Sequence, residues 1–346
     1  MAFLAKISVK GKHVTVKISK GKIVNSNLRN VVVNIDGYLL YDNQQEHLNF
    51  VFDHLKLEKP GEAQNIANVL PTSNNINPRS LPKITFYCRA LQYEKLDLGT
   101  VNLYTAPHEK GLLIDLLEVK NPELSIQVRG KWENSHFGDR TTIQANLKSN
   151  DIEKMLKRFG HKESPISDSS AQMTLDASWQ NTPYNFSLKQ FMGTLRLLIT
   201  EGRIVNVDPG LGRILGLFDL QILPQRLALD FSDIFSEGFQ FSTITGSFDI
   251  RKGHAYTDNL ILQGRAAHIK ISGRTGLVTQ DYDQLVTVIP HVSNALPVAS
   301  AIAGGLGIGA IALLVQKMLE KEIEELINYQ YLLAGSWEKP KIEARN

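Results

Sequence analysis

Apolar and polar residues alternate one for one along most of this chain, in short stretches set off by glycine-bearing turns. In the first half these stretches are Val14–Ile18, Val31–Ile35, Ile84–Cys88, Leu96–Leu103, Leu124–Val128, Ile143–Leu147 and Met173–Ala177. Leu195–Ile199, Phe239–Phe241, Phe248–Ile250, Ile269–Ile271 and Leu285–Ile289 follow. A period of two puts successive side chains on opposite faces, so each stretch predicts a strand with one dry and one wet face. Antiparallel sheets carry that pattern, whereas parallel sheets are buried on both sides. The pattern therefore predicts a mainly β protein whose antiparallel sheet is long in the direction of strand stacking.

Helical periodicity is confined to three places. Asn150-Asp151 can cap a helix over Ile152–Phe159, with Gly160 placed to end it. Asp208-Pro209 opens a second short helix reaching Leu217. The third covers 317–327, where Met318, Leu319, Ile323, Leu326 and Ile327 share one side of an amphipathic stretch. Pro60–Pro82, rich in Asn, Pro and Ser, predicts a loop or insertion.

From Gln284 to Gln316 the chain carries no Lys, Arg, Asp or Glu. Its core, 295–316, would extend roughly 30 Å as a helix, about the thickness of the hydrocarbon layer of a bilayer. Pro297 and the four glycines Gly304, Gly305, Gly307 and Gly309 make it only moderately hydrophobic. Leu296, Val298, Ile302, Leu306, Ile308, Ile311 and Leu314 are the residues expected to meet a membrane or a partner. The alternative is a buried helix or hairpin that plugs the end of the sheet.

Composition narrows the function classes. The 346 residues are 42% hydrophobic and 21% charged, which suits an ordered chain of two domains or one elongated one. A net charge of +3, with no basic block interleaved with aromatics, predicts neither nucleic acid nor nucleotide as partner. Gly210–Gly216 and Gly305–Gly309 lack the lysine of a phosphate-cradling loop, and turns and packing account for them. Cys88 is the sole cysteine, so an internal disulfide and a cysteine metal cluster are both excluded. The nine histidines show no close metal spacing, and there is no nucleophile motif. The paired acids Asp230/Asp233 and Asp281/Asp283 predict ion pairs with arginines such as Arg274. No catalysis, cofactor or metal is expected.

Three tryptophans stand in similar settings: Gly130-Lys-Trp132, Ala177-Ser-Trp179 and Gly335-Ser-Trp337, the last two with a proline shortly beyond. Each is expected at the end of a strand, as in repeated strand-and-turn modules.

One block is more specific. Gly202–Arg213, with Val207-Asp-Pro-Gly210 inside it, leads into Ile214–Arg226 and then Leu227–Phe241. Gly273-Arg-Thr-Gly-Leu277, Gln280–Gln284 and Gly335-Ser-Trp-Glu-Lys-Pro340 follow. The block resembles the C-terminal part of the YhdP proteins, large AsmA-like proteins of Gram-negative bacteria. The likeness is dense from about Gly193 to Pro340 and looser from Lys83 to Trp179. It implies a curved, folded-over sheet with an apolar groove that carries phospholipid across the periplasm towards the outer membrane. It also implies an inner-membrane anchor N-terminal to this segment, contacts with components of both membranes, and no enzymatic step.

On that basis the chain divides into 1–82, with its loop at 60–82; 83–192, a sheet extension with helix 151–159; and an AsmA-like region, 193–346. The expected lipid-binding residues are Leu195, Leu197, Ile199, Phe239, Phe241, Phe248, Ile250, Ile269 and Ile271. Alternation alone also fits a protein core in which a second sheet packs about 10 Å away. The rival function is a scaffold for outer-membrane protein assembly that acts by sheet-edge pairing.

Overall fold

The computed structural model describes residues 4–10, 13–23, 31–42, 46–58, 76–161, 163–204, 239–265, 267–291 and 328–345. Strands dominate them, and the chain separates into two compact units. One comprises 1–162 with 172–193, the other 163–171 with 194–346.

In the first unit β1 (Leu4–Lys10), β2 (His13–Ile23), β3 (Val31–Asp42) and β4 (His47–Glu58) pair antiparallel in sequence. Next, β5 (Lys83–Tyr93) runs parallel to β4, with Phe50 opposite Phe86 and Phe52 opposite Cys88. A parallel neighbour requires a long connection back to the starting end. Residues 59–82 stand between the two strands in the sequence.

Antiparallel pairing then resumes through β6 (Leu96–His108), β7 (Gly111–Lys120), β8 (Leu124–Ser135) and β9 (Gly138–Ser149). β11 (Ser170–Gln180) adds to β9. Around the parallel pair, Phe52, Leu55 and Cys88 form a small core flanked by Phe50, Phe86 and Leu91. Burial there pushes the Cys88 thiol above its usual pKa.

The helix predicted after Asn150 is α1 (Ile152–Arg158). Asp151 caps it by accepting a 2.9 Å bond from the Lys154 amide, and Gly160, at φ +87°, turns the chain away. Its buried residues are Ile152 and Leu156. Arg158 fixes its C-terminal end: Nε donates to Glu123 at 2.7 Å and Nη1 to Asp97. The two carboxylates hold the guanidinium above its ordinary pKa.

The second unit contains β10 (Ile166–Ser167) paired with β12 (Met192–Ile204). A ladder follows: β13 (Phe239–Arg251), β14 (His254–Gly264), β15 (Ala267–Gly276), β16 (Asp281–Pro290), β17 (Tyr329–Ser336) and β18 (Lys339–Arg345). Each strand pairs antiparallel with the next. Phe239–Phe241 and Phe248–Ile250, separate stretches in the alternation, are the two ends of one strand, β13.

Candidate functional site

Register in the β13–β18 ladder aligns the apolar residues into rows across the strands. Ile244 faces Leu262, Leu262 faces Ile269, and Ile269 faces Val288. Two residues along, Leu260, Ile271, Val286 and Tyr331 form a second row. Ile250, Ala255, Thr275 and Tyr282 form another further on. Neighbouring strands lie about 4.8 Å apart, so β13 to β17 spread this face over roughly 19 Å. An extended membrane-lipid acyl chain is of similar length.

The sequence-derived residues of β13 and β15 lie on that surface. Leu197, Ile199, Phe239, Phe241, Phe248, Ile250, Ile269 and Ile271 are each at most 6% exposed. Leu195 is half-buried. Phe241 stands opposite Gly264, and the Phe239 ring lies over the space where a Gly264 side chain would be. Ile244, Leu260, Leu262, Val286, Val288, Tyr331 and Leu333 belong to the same buried set and were not singled out from sequence.

For Ile244, Leu260 and Leu262 the signal was scrambled by β-bulges. In β14 the buried positions are Ala255 and Thr257, then Leu260 and Leu262, so the parity changes across the register shift between Thr257 and Leu260. Another shift, between Phe241 and Thr243, changes the parity within β13, so Phe239 and Phe241 share a side with Ile244, Phe248 and Ile250.

The face is not uniformly apolar. Gln284 is buried and donates through Nε2 to Thr275 Oγ1 at 2.8 Å. This polar pair lies beside the row of Leu260 and Ile271, towards the Arg274 end of the strands.

The opposite, wet side bears an open concavity of about 580 Å³ bordered by Thr194, Ser247, Asp249, Tyr256, Ser272, Arg274, Asp283, Leu285 and Leu332. At its end Arg274 grips Asp281 with both nitrogens, at 3.0 and 2.7 Å. Thr279 also donates to Asp281, and the Arg274 guanidinium is the main reason its carboxyl falls from 3.8 to about 2. Asp283, the other member of the acid pair, borders the concavity without sharing that grip.

A depressed carboxyl stabilises the fold fully above 3.8, and the contribution drains away as pH falls from there to about 2. The pair is partly exposed, so its worth is about 1 kcal/mol after screening. Asp281→Asn is expected to lower the urea midpoint at about pH 6 and to match wild type near pH 2. A gap unchanged with pH would show that the ion pair is not its source.

Among the described residues no group of three or more His, Cys, Asp or Glu side chains is placed to hold a metal ion. Among them, too, no helix is long and apolar enough to cross a membrane. Leu296, Val298, Ile302, Leu306, Ile308, Ile311 and Leu314 lie outside the described residues, as do helix 317–327 and the helix expected from Asp208.

Comparison with known proteins points one way. No solved structure matches the chain. It is 25% identical over 273 residues to the intermembrane phospholipid transporter YhdP of Escherichia coli (strain K12), a match covering 79% of this chain and 22% of that protein. The chain thus spans well under half the length of that relative. The family model described as YhdP protein matches residues 9–342, nearly end to end. The chain belongs to the YhdP protein family.

Proposed function

We propose that this segment carries phospholipid acyl chains along the apolar face of the β12–β18 unit, as part of a longer protein that moves lipid between the membranes of a Gram-negative envelope. The observation that carries the reading is the continuity of that face: Ile244 to Val288 and Leu260 to Tyr331 are unbroken apolar rows across successive strands. Each methylene removed from water contributes about 0.8 kcal/mol, so a sixteen-carbon chain gains on the order of 10 kcal/mol. Such a chain competes well for a surface of this kind. The head group, too costly to bury, stays at a wet rim. No bond is made or broken, so direction comes from a gradient or from a partner. The name of the E. coli relative supports the same cargo.

The rival reading, partner capture by strand addition, is disfavoured by the last strand of the ladder. β18 sets Lys339, Lys341, Glu343 and Arg345 along its length and has Pro340 near its start. Charges and proline are the usual means by which a strand discourages further pairing.

Native mass spectrometry of protein released in mild detergent tests the proposal. Phospholipid should travel with the chain and be lost from variants that fill the face, such as Ala255→Phe with Ile250→Phe. Protein that is lipid-free under every gentle extraction would contradict it.

A further inference from the structure

At one end of the first unit an ordered loop holds apolar side chains out in water. Residues 181–191 are pinned from several sides. Trp179 Nε1 donates to Thr182 O at 3.0 Å, Thr141 Oγ1 donates to Asn181 O at 2.8 Å, and Gln190 and Phe191 amides return to Ser187 O. Rings reinforce it: Phe186 packs edge-on against Trp179 and Phe191, and Tyr184 against Trp132. Despite that framework Tyr184 is 61%, Phe186 50% and Met192 51% exposed. The adjoining β8–β9 turn carries Phe137, 89% exposed. An ordered aromatic patch left in water marks an interaction surface.

The charges around the patch say what kind. Arg79, Lys110, Arg140 and Lys189 all belong to this end. Arg79 donates to Asn134 O at 2.8 Å, the Asn134 amide donates to Lys110 O, and Arg140 reaches Ser178. None of the four forms an ion pair with a described carboxylate. The local acids are Glu133, tied to Lys131 at 2.9 Å; Asp139, which accepts from Trp132 Nε1 and Asn134; and Glu109. Exposed aromatic side chains with cations free of ion pairs at the same end suit the boundary between head groups and acyl chains of an anionic bilayer. A protein partner of comparable fit would have to supply an acidic rim around an apolar socket.

We infer that the 181–192 loop and the Phe137 turn form a lateral docking site for an anionic lipid surface. Phe137 inserts first and the four cations engage lipid phosphates. The inference is independent of the cargo reading, which concerns the interior face of the other unit.

Sedimentation of the full chain with vesicles tests it. Vesicles of phosphatidylcholine and phosphatidylglycerol in about equal parts should bind the protein, and binding should weaken as salt rises. Phosphatidylcholine alone should not. Phe137→Asp, at a site too exposed to affect folding, should weaken binding about tenfold. Lys110→Glu with Lys189→Glu should weaken it about tenfold or more at low salt. Brominated lipid should quench Trp132 and Trp179 fluorescence in wild type and not in Phe137→Asp. Equal binding to both vesicle types, full binding by the variants, or no binding by wild type would each overturn the inference, the last pointing to a protein partner instead.

Discussion

Aspartate in place of Ile271 is expected to unfold the second unit, whereas aspartate in place of Lys270 leaves it folded. The two residues are neighbours on β15, but Ile271 is 2% exposed and Lys270 is on the wet face. Ile271 sits between Leu260 and Val286, with further apolar side chains to either side. Losing its side chain forfeits about 2 kcal/mol of burial, and a carboxyl group put there adds several kcal/mol of desolvation. The sum rivals the whole stability of an ordinary domain, about 5–15 kcal/mol. Hydrogen exchange resolved by peptide provides the readout. Protection across 239–290 and 329–345 should collapse in Ile271→Asp and persist in Lys270→Asp, while β5 to β9 keep theirs in both. Retained protection in Ile271→Asp would mean that water already reaches this face.

Gly273→Val is expected to cost about as much as a large core deletion, roughly 3 kcal/mol or more. Gly273 lies at φ +127°, and a Cβ there would stand 2.4 Å from the Asp283 carbonyl oxygen and 2.8 Å from Gln284 Cα. Both obstacles are backbone of the paired strand, so no rotamer relieves the clash, and β15 and β16 must part where Gly273 faces Gln284. Gly160 provides the control: at φ +87° a Cβ there meets nothing within 4 Å. Gly160→Ala should cost only the backbone penalty, about 1 kcal/mol. Urea midpoints for the two variants decide the matter, and equal losses would show that the close approach at Gly273 is relaxed in solution.

The sequence was legible wherever local and long-range demands agreed. Asp151 and Gly160 carry their own capping chemistry, so α1 falls where the pattern puts it. Strands with unbroken alternation, such as β8 and β9, were equally plain. β4 was missed because it packs Phe50 and Phe52 and then Leu55 and Leu57, with the extra residue at Asp53 breaking the period at a register shift against β3. β7 was missed for the same reason: Asp115 and Leu116 sit where its register slips against both neighbours. β18 was not among the strands read from the alternation, since its one buried apolar residue is Ile342.

The candidate face was legible as pairs of residues but not as a surface. Nothing in Phe248–Ile250 says that Leu260 and Val286 share its side, because that depends on bulges in strands far apart in sequence. The aromatic end of the first unit was visible only as a recurring tryptophan. Trp179 does end β11 and is tied down there, and the rings it organises come from the turn that follows.

The central claim is that acyl chains occupy the apolar side of the β12–β18 unit, and photo-crosslinking from within that side tests it most directly. Benzoylphenylalanine at Phe241 or Tyr331 keeps the first aromatic ring and adds a photoreactive benzoyl group at its para position, and both residues are buried there. Leu332, next to Tyr331 but 43% exposed on the opposite face, is the matched control. After irradiation in an intact Gram-negative envelope, phospholipid adducts should form at 241 and 331 and be absent at 332. Adducts at all three positions, or at 332 alone, would contradict the account, as would a clean failure at 241 and 331 in protein shown to be folded.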